Sequence, residues 1–370
     1  MKLTRRTAIL GAGGGLLTQF GGARASRPTA KSLGFRQPDE ASPHERTFMQ
    51  WPASAEIYGS RDDLEAVREK IALIANAMAR FEPVTLLVQP EQIAQAKARM
   101  GKNVSTLAIP VNDLWARDSG PTFVTNAAGQ LAVSDLNFNG WGDAQEHGND
   151  SKVAARVAAQ LGLSRFAAEV VGEAGGVEHD GEGTLIAHAS SWMNPTRNSA
   201  SAEDIARALC DALGAEKMIW APGLSGQDIT DYHIDALARF VAPGRALIQL
   251  PAHRDGADPW ATAAYETYDI LKSSTDAKGR KVEVIVVSAP ENIRVQDENF
   301  VASYVNYYVC NGAVISAEFG DDTADAKAHA MLQALYPDRE IISLNIDAIG
   351  QSGGGIHCAT QQMPKAIKMP

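Results

Sequence analysis

The chain has 370 residues, of which 45% are hydrophobic and 21% charged, and its formal net charge is −10. This composition excludes a disordered or fibrous protein, and the length is enough to bury a large core in one or two domains. The acidic balance, with no basic run, speaks against a nucleic-acid partner and suits a small cation.

The first 25 residues have a charged start, an apolar Gly-rich centre and Ala23-Arg24-Ala25, the pattern of a cleavable export signal. The centre is shorter than the ~20 apolar residues of a membrane span, so no stable membrane anchor is expected. Arg5-Arg6 ahead of Thr7-Ala8-Ile9-Leu10 reads as a twin-arginine signal delivering a folded chain to the periplasm. An ordinary secretion signal, using the arginines only as positive charge, explains the same residues, and a non-functional signal would leave the chain cytoplasmic. Cleavage after Ala25 removes Lys2, Arg5, Arg6 and Arg24 and no acid, taking the net charge from −10 to −14.

Residues 26–45 are polar and contain proline, and read as an extended lead-in. Beyond them, apolar runs of strand length lie at 84–89, 105–111, 217–223, 245–251 and 282–290. Amphipathic helical patterns cover 63–80, 152–161, 202–213, 260–272 and 324–335. The third has Ser201 as N-cap, Asp204 in its first turn and Gly214 as its stop. The helices recur five times at roughly 50 to 60 residues, which hints at a repeated strand-and-helix unit. No linker divides the chain, so 26–370 reads as one α/β domain.

There are three cysteines. Cys210 falls in a helical pattern and Cys310 in a strand-like run, both core positions. In an oxidising compartment a bridge between them stays open, and either way Cys358 is left as a free thiol. It follows Gly353-Gly354-Gly355 and His357. Neither C-x-x-C nor H-x-x-x-H spacing occurs, so no zinc set accompanies it. His357 would point away from the thiol on a strand. A nucleophilic thiol needs a cation or imidazolium nearby, and His233 is the best candidate.

Three other clusters are rich in polar, glycine and aromatic residues. In NDLWARDSGP (112–121), Asp113, Trp115, Arg117 and Asp118 crowd one loop. They form a receptor for a flat cation, although Asp118-Ser119-Gly120-Pro121 is also ordinary turn chemistry. In GEAGGVEHDGEG (172–183), Glu173 precedes two glycines and reads first as a surface acid, while 180–183 reads as a tight hairpin. In TDYHIDAL (230–237), His233 and Asp235 share one face if the segment is a strand, as a polar strand face would also have them.

Taken in order, W-x-R-D-x-G-P, the acid before a glycine pair with D-G-x-G, H-x-D and G-G-G-x-H-C-x-T-Q-Q resemble the agmatine deiminases. NFNGWGD (137–143) and NPTRN (194–198) do so too, and the resemblance covers about residues 36–364. Those enzymes belong to the wider Porphyromonas-type peptidylarginine deiminase family. The resemblance implies a five-bladed pseudosymmetric α/β propeller (pentein) of ββαβ units, no cofactor and no metal. It implies hydrolysis of agmatine to N-carbamoylputrescine and ammonia. By the same resemblance Cys358 is the nucleophile, His233 the acid and then the base, and Asp118 and Asp235 hold the guanidinium. Trp115, Glu173, Arg117 and Asp113 are then expected around the substrate.

Two departures bear on the substrate. Tyr232 stands where the family pattern T-D-G-H-x-D has glycine, and would reshape the pocket for the amine tail. The export signal is unusual for a generally cytosolic activity. Free arginine or peptidylarginine is therefore the alternative substrate, and self-association is left open. Two readings from other classes remain: a thiol hydrolase or acyl transferase using Cys358, His233 and Asp235, and an exported guanidinium-binding protein without chemistry.

Overall fold

The computed structural model describes residues 27–297 and 299–366; the export signal lies outside the described residues. Strand β1 (His44–Gln50) runs parallel to β2 (Val84–Val88), and β2 runs parallel to β3 (Val104–Ala108). Four three-stranded sheets follow along the chain. They are β4 (Thr122–Thr125), β5 (Leu131–Asp135) and β6 (Ser164–Ala167); then β7 (Val177–His179), β8 (Thr184–His188) and β9 (Lys217–Ala221). Next come β10 (Ala238–Ala242), β11 (Arg245–Leu250) and β12 (Glu283–Ser288), then β13 (Tyr308–Cys310), β14 (Ala313–Glu318) and β15 (Glu340–Asn345).

In each of these four sheets the first strand pairs antiparallel with the second, and the second parallel with the third. Strand β16 (Gln361–Pro364) pairs antiparallel with β1, so the first sheet repeats the plan and joins the two ends of the chain. Parallel neighbours need a long crossover, and each of the five has a helix: Arg61–Met78, Val153–Leu161, Ala202–Leu213, Pro259–Ser273 and Asp322–Leu335. The five helical patterns of the sequence are these five crossovers, and the ββαβ unit implied by the resemblance is present five times.

The differences are local. The first helix starts at Arg61 because Ser60 accepts from the Asp63 amide and caps it. Strand β3 ends at Ala108, since Pro110 has no amide to donate to a ladder. The lead-in is not extended throughout: it turns at Lys31–Leu33, then bridges Arg36 to Thr125. Residues 180–183 do form the β7–β8 hairpin, with Asp180 Oδ1 accepting from the amides of Glu182 and Thr184. All three cysteines are free and buried; Cys210 and Cys310 pack into separate apolar clusters, so the open bridge is not made. No helix among the described residues is long and apolar enough to cross a membrane.

Helix Ala202–Leu213 is capped by Ser201 and stopped by Gly214 at φ 69°, as its sequence predicts. A Cβ on Gly214 would fall on the Phe35 carbonyl oxygen, whereas Gly162, the stop of Val153–Leu161 at φ 65°, has nothing within 4 Å. Gly162→Ala should therefore cost only left-handed strain, about 1 kcal/mol. Gly214→Ala should cost about 2 kcal/mol more because the backbone must also move. Urea denaturation of the two variants checks the difference.

Candidate active site

Each of the five units contributes a polar side chain from the few residues ahead of its lead strand. Asp118 precedes β4, Glu173 precedes β7, His233 and Asp235 precede β10, Asn306 precedes β13 and Cys358 precedes β16. The lead strands meet in pairs, β16 with β4 and β7 with β10, so these segments converge. They open on a cavity of about 410 Å³ lined by Asp118, His233, Asp235 and Cys358 together with Trp115 and Trp141.

The three glycines before Cys358 have separate reasons. Gly353 sits at φ 94°. A Cβ on Gly354 would come within 2.5 Å of the Trp115 ring, and one on Gly355 within 2.5 Å of Asn306 Oδ1. Asn306 holds the turn: its Oδ1 accepts from the amides of His357 (3.0 Å) and Cys358 (3.3 Å), and its Nδ2 donates to Cys358 Sγ at 3.1 Å. The Cys358 thiol is pushed well above its ordinary pKa by burial, reinforced by the charges of Asp235 and Asp118. Burial and these charges keep it a neutral thiol.

His233 has Asp118 Oδ1 3.7 Å from Nδ1 and Glu173 Oε2 3.2 Å from Nε2. Burial disfavours the charged ring, but Asp118, Glu173 and Asp235 together outweigh it and lift its pKa to about 9. Burial also lifts Asp118 to about 6, against the pull of His233, with Asp235 and Glu173 adding to the rise. Trp141 Nε1 (3.0 Å) and the Gly175 amide (3.2 Å) donate to the Asp118 carboxylate. Gly175 is hemmed in: a Cβ there would lie 2.7 Å from Asp118 Oδ1, 2.8 Å from His233 Nδ1 and 3.2 Å from Asp235 Oδ2.

Asp235 behaves oppositely. Burial works against its charge, yet the hydrogen bond and charge of His357 prevail and hold the carboxyl below its ordinary pKa. His357 Nδ1 lies 2.7 Å from Asp235 Oδ2, and its Nε2 lies 2.9 Å from Glu40 Oε2. Asp235 Oδ1 is buried with no hydrogen-bond partner. A buried carboxylate oxygen left without a donor is costly and marks where a donor is expected. Among the described residues no group of three or more His, Cys, Asp or Glu is arranged to hold a metal ion.

The eight residues named from sequence do not all reach the cavity. Trp115 and Asp113 line it, and Asp113 accepts from Tyr58 Oη and from Gln145 Nε2 (2.7 Å). Glu173 does not line it: it is buried behind His233 and clamped by Arg197 Nε at 2.9 Å. Arg117 does not line it either, pairing with Glu40 at 3.3 Å and donating to the His357 carbonyl at 3.3 Å. A cation there would repel a guanidinium, so its place is behind the carboxylates. His233 and Asp235 lie on a short turn (Ile234–Ala236), not on a strand, but both face the cavity. Tyr232 stays out of the cavity: at φ 68° its ring turns onto Trp260 and His188, both at 4.7 Å.

Asn306, Glu40, Tyr58 and Trp141 were missed as site residues, and His357 was set aside. Trp141 and Arg197 lie in the two short motifs noted above. Asn306 had one signal, its position before a lead strand, and that is visible only once the units are aligned.

A family model described as Porphyromonas-type peptidyl-arginine deiminase matches residues 36–364. The agmatine deiminase of Pseudomonas aeruginosa is 34% identical over 371 residues, covering 93% of this chain and all of its own. The chain belongs to this family. Among solved structures, an agmatine deiminase of Enterococcus faecalis superposes with TM-score 0.85 at 29% identity, covering 92% of this chain and 99% of its own. A substrate-bound agmatine deiminase of C. jejuni, at 22% identity, shares the fold with TM-score 0.77 over 89% and 96% of the two chains. Deiminase family members of this kind thus span the whole five-unit body.

With its pKa raised from 6.5 to about 9, His233 stabilises the fold fully below pH 6.5, and this contribution is lost as pH rises through 9. Asp118→Asn removes the charge that raises it most, so the ring should titrate lower by about one pH unit or more. NMR titration of the His233 ring in both proteins checks this.

Proposed function

We propose that this protein hydrolyses agmatine to N-carbamoylputrescine and ammonia through a covalent intermediate on Cys358. The observation that carries this reading is a cavity lined by a thiol, an imidazolium and two carboxylates, one of which, Asp235, has an oxygen with no hydrogen-bond partner. A planar guanidinium supplies donors to both carboxylates at once and the positive charge that the thiol site lacks. Its arrival favours the thiolate, whose proton leaves to solvent, and holds Asp118 ionised. Sγ attacks the central carbon, and the imidazolium of His233 gives its proton to the departing nitrogen, which leaves as ammonia. Neutral His233 then takes a proton from water as its oxygen adds to the thiouronium carbon. Collapse expels Cys358 and yields the ureido product. The relatives named agmatine deiminase support agmatine as the guanidine.

Acyl transfer fits the site less well. The amides of His357 and Cys358, which would form an oxyanion hole beside the thiol, are both taken by Asn306 Oδ1. Asp118 and Asp235 would repel an oxyanion there.

The chain from Ser26 onward, given agmatine, free arginine and a peptide ending in arginine, should release ammonia and ureido product from agmatine. Cys358→Ala should lower that rate by about 10⁴-fold or more. Product from arginine or the peptide alone would move the function to arginine deimination, and none from a folded sample would refute deimination. Residues 1–25 are proposed to direct export by the twin-arginine route, on their sequence pattern. Cell fractionation should find the full chain in the periplasm and the double variant Arg5→Lys, Arg6→Lys in the cytoplasm.

A further inference from the structure

Beside the catalytic cavity lies a second chamber of about 500 Å³. The two are compartments of one cleft, because two segments, 228–230 and 351–353, line both. The second of these leads directly to Gly354, which packs against Cys358 and Trp115. The compartments differ in chemistry. The catalytic cavity has an acidic arm formed by Tyr58, Asp63, Asp113 and Gln145, suited to a free ammonium. The side chamber is walled by the rings of Tyr232, Trp260 and Phe300, and no lysine or arginine among its described residues lines it.

Tyr232 is the decisive residue. It is 8% exposed, lines the chamber, and its hydroxyl has no hydrogen-bond partner among the described residues. Tyr232 is also the second of two consecutive residues at positive φ, 56° at Asp231 and 68° at Tyr232. Left-handed backbone is unfavourable for a side-chained residue and persists where the surroundings impose it. The Asp231 carboxylate is repaid by Arg197, Asn194 and the Gly226 amide. The Tyr232 ring, which lines the chamber, stands edge-on to exposed Trp260 at 84°.

We propose that the side chamber binds the tail of guanidines whose amine end carries an aromatic acyl group, so that the enzyme takes aromatic amides of agmatine as well as agmatine itself. Acylation removes the ammonium that the acidic arm would hold, and the ring finds Trp260 and Phe300. The Tyr232 hydroxyl donates to the tail. The proposal rests on the deimination reading, since the guanidinium is held as described above.

The test compares agmatine, N-acetylagmatine and N-benzoylagmatine in steady-state kinetics. The benzoyl amide should exceed the acetyl amide in kcat/KM by about tenfold or more. Trp260→Ala should abolish that preference while leaving agmatine within about twofold, and Tyr232→Phe should lower kcat/KM for the benzoyl amide by about fivefold. Equal handling of the two amides, or a preference that survives Trp260→Ala, overturns the proposal while agmatine turnover still stands. If no guanidine is turned over, calorimetry on Cys358→Ala decides the chamber separately. Benzoylagmatine binding that weakens about tenfold with Trp260→Ala upholds it, and binding no tighter than that of acetylagmatine refutes it.

Discussion

The site depends on a buried array of charge beneath it. Glu40 is shared by Arg117, Arg239 and His357, with Arg239 Nη2 at 2.8 Å and His357 Nε2 at 2.9 Å. Burial alone would neutralise this carboxyl, but the Arg239, His357 and Arg117 charges hold it well below its ordinary range. Removing one partner from such a set leaves an uncompensated charge and costs about 3–5 kcal/mol. Arg239 also binds Glu178 at 3.0 Å and stacks over Tyr307. These residues come from the lead-in and from segments of several units, so the array ties the units together at their centre.

From this array the order passes upward. Glu40 fixes His357, His357 fixes Asp235 and keeps it ionised, and Asp235 Oδ1 is left without a partner. On the other side Arg197 fixes Glu173, and Glu173 fixes His233. Both reactive carboxylate and imidazole are thus oriented through a neighbour that does not line the cavity. The arrangement separates their protonation: His233 keeps its proton to about pH 9, Asp235 loses its own readily, and the buried thiol stays neutral. In the proposed reaction a site in that state holds an acid for the leaving nitrogen, and the arriving cation charges the thiol.

Much of this was legible in sequence where the physics is local. The five crossover helices follow from apolar spacing, and Ser201 and Gly214 end one of them as capping chemistry requires. The motifs around Asp118, His233 and Cys358 mark the chemistry because thiol, imidazole and carboxylates are recognisable by type. Arg117 and Glu173 were misread for one reason: residue type shows charge but not depth. Both sit one layer behind the side chains that face the cavity. Tyr232 was expected in the amine pocket from its place beside His233. A positive φ turns the ring into a neighbouring chamber instead, and backbone handedness at a non-glycine residue leaves no mark in the sequence.

By itself the sequence determined the five crossover helices, several of the strands and the family, and it hinted at the fivefold recurrence, since each depends on residue type and short-range spacing. Only the tertiary structure decided which polar residues line the cavity and which stand behind it. It alone brought Asn306 to Cys358 across 52 residues and Glu40 to His357 across 317. Those pairings arise because the last strand of the chain, β16, closes onto the first sheet and the five lead segments converge on one centre. That closure is a property of the whole chain, and no local stretch of it carries the information.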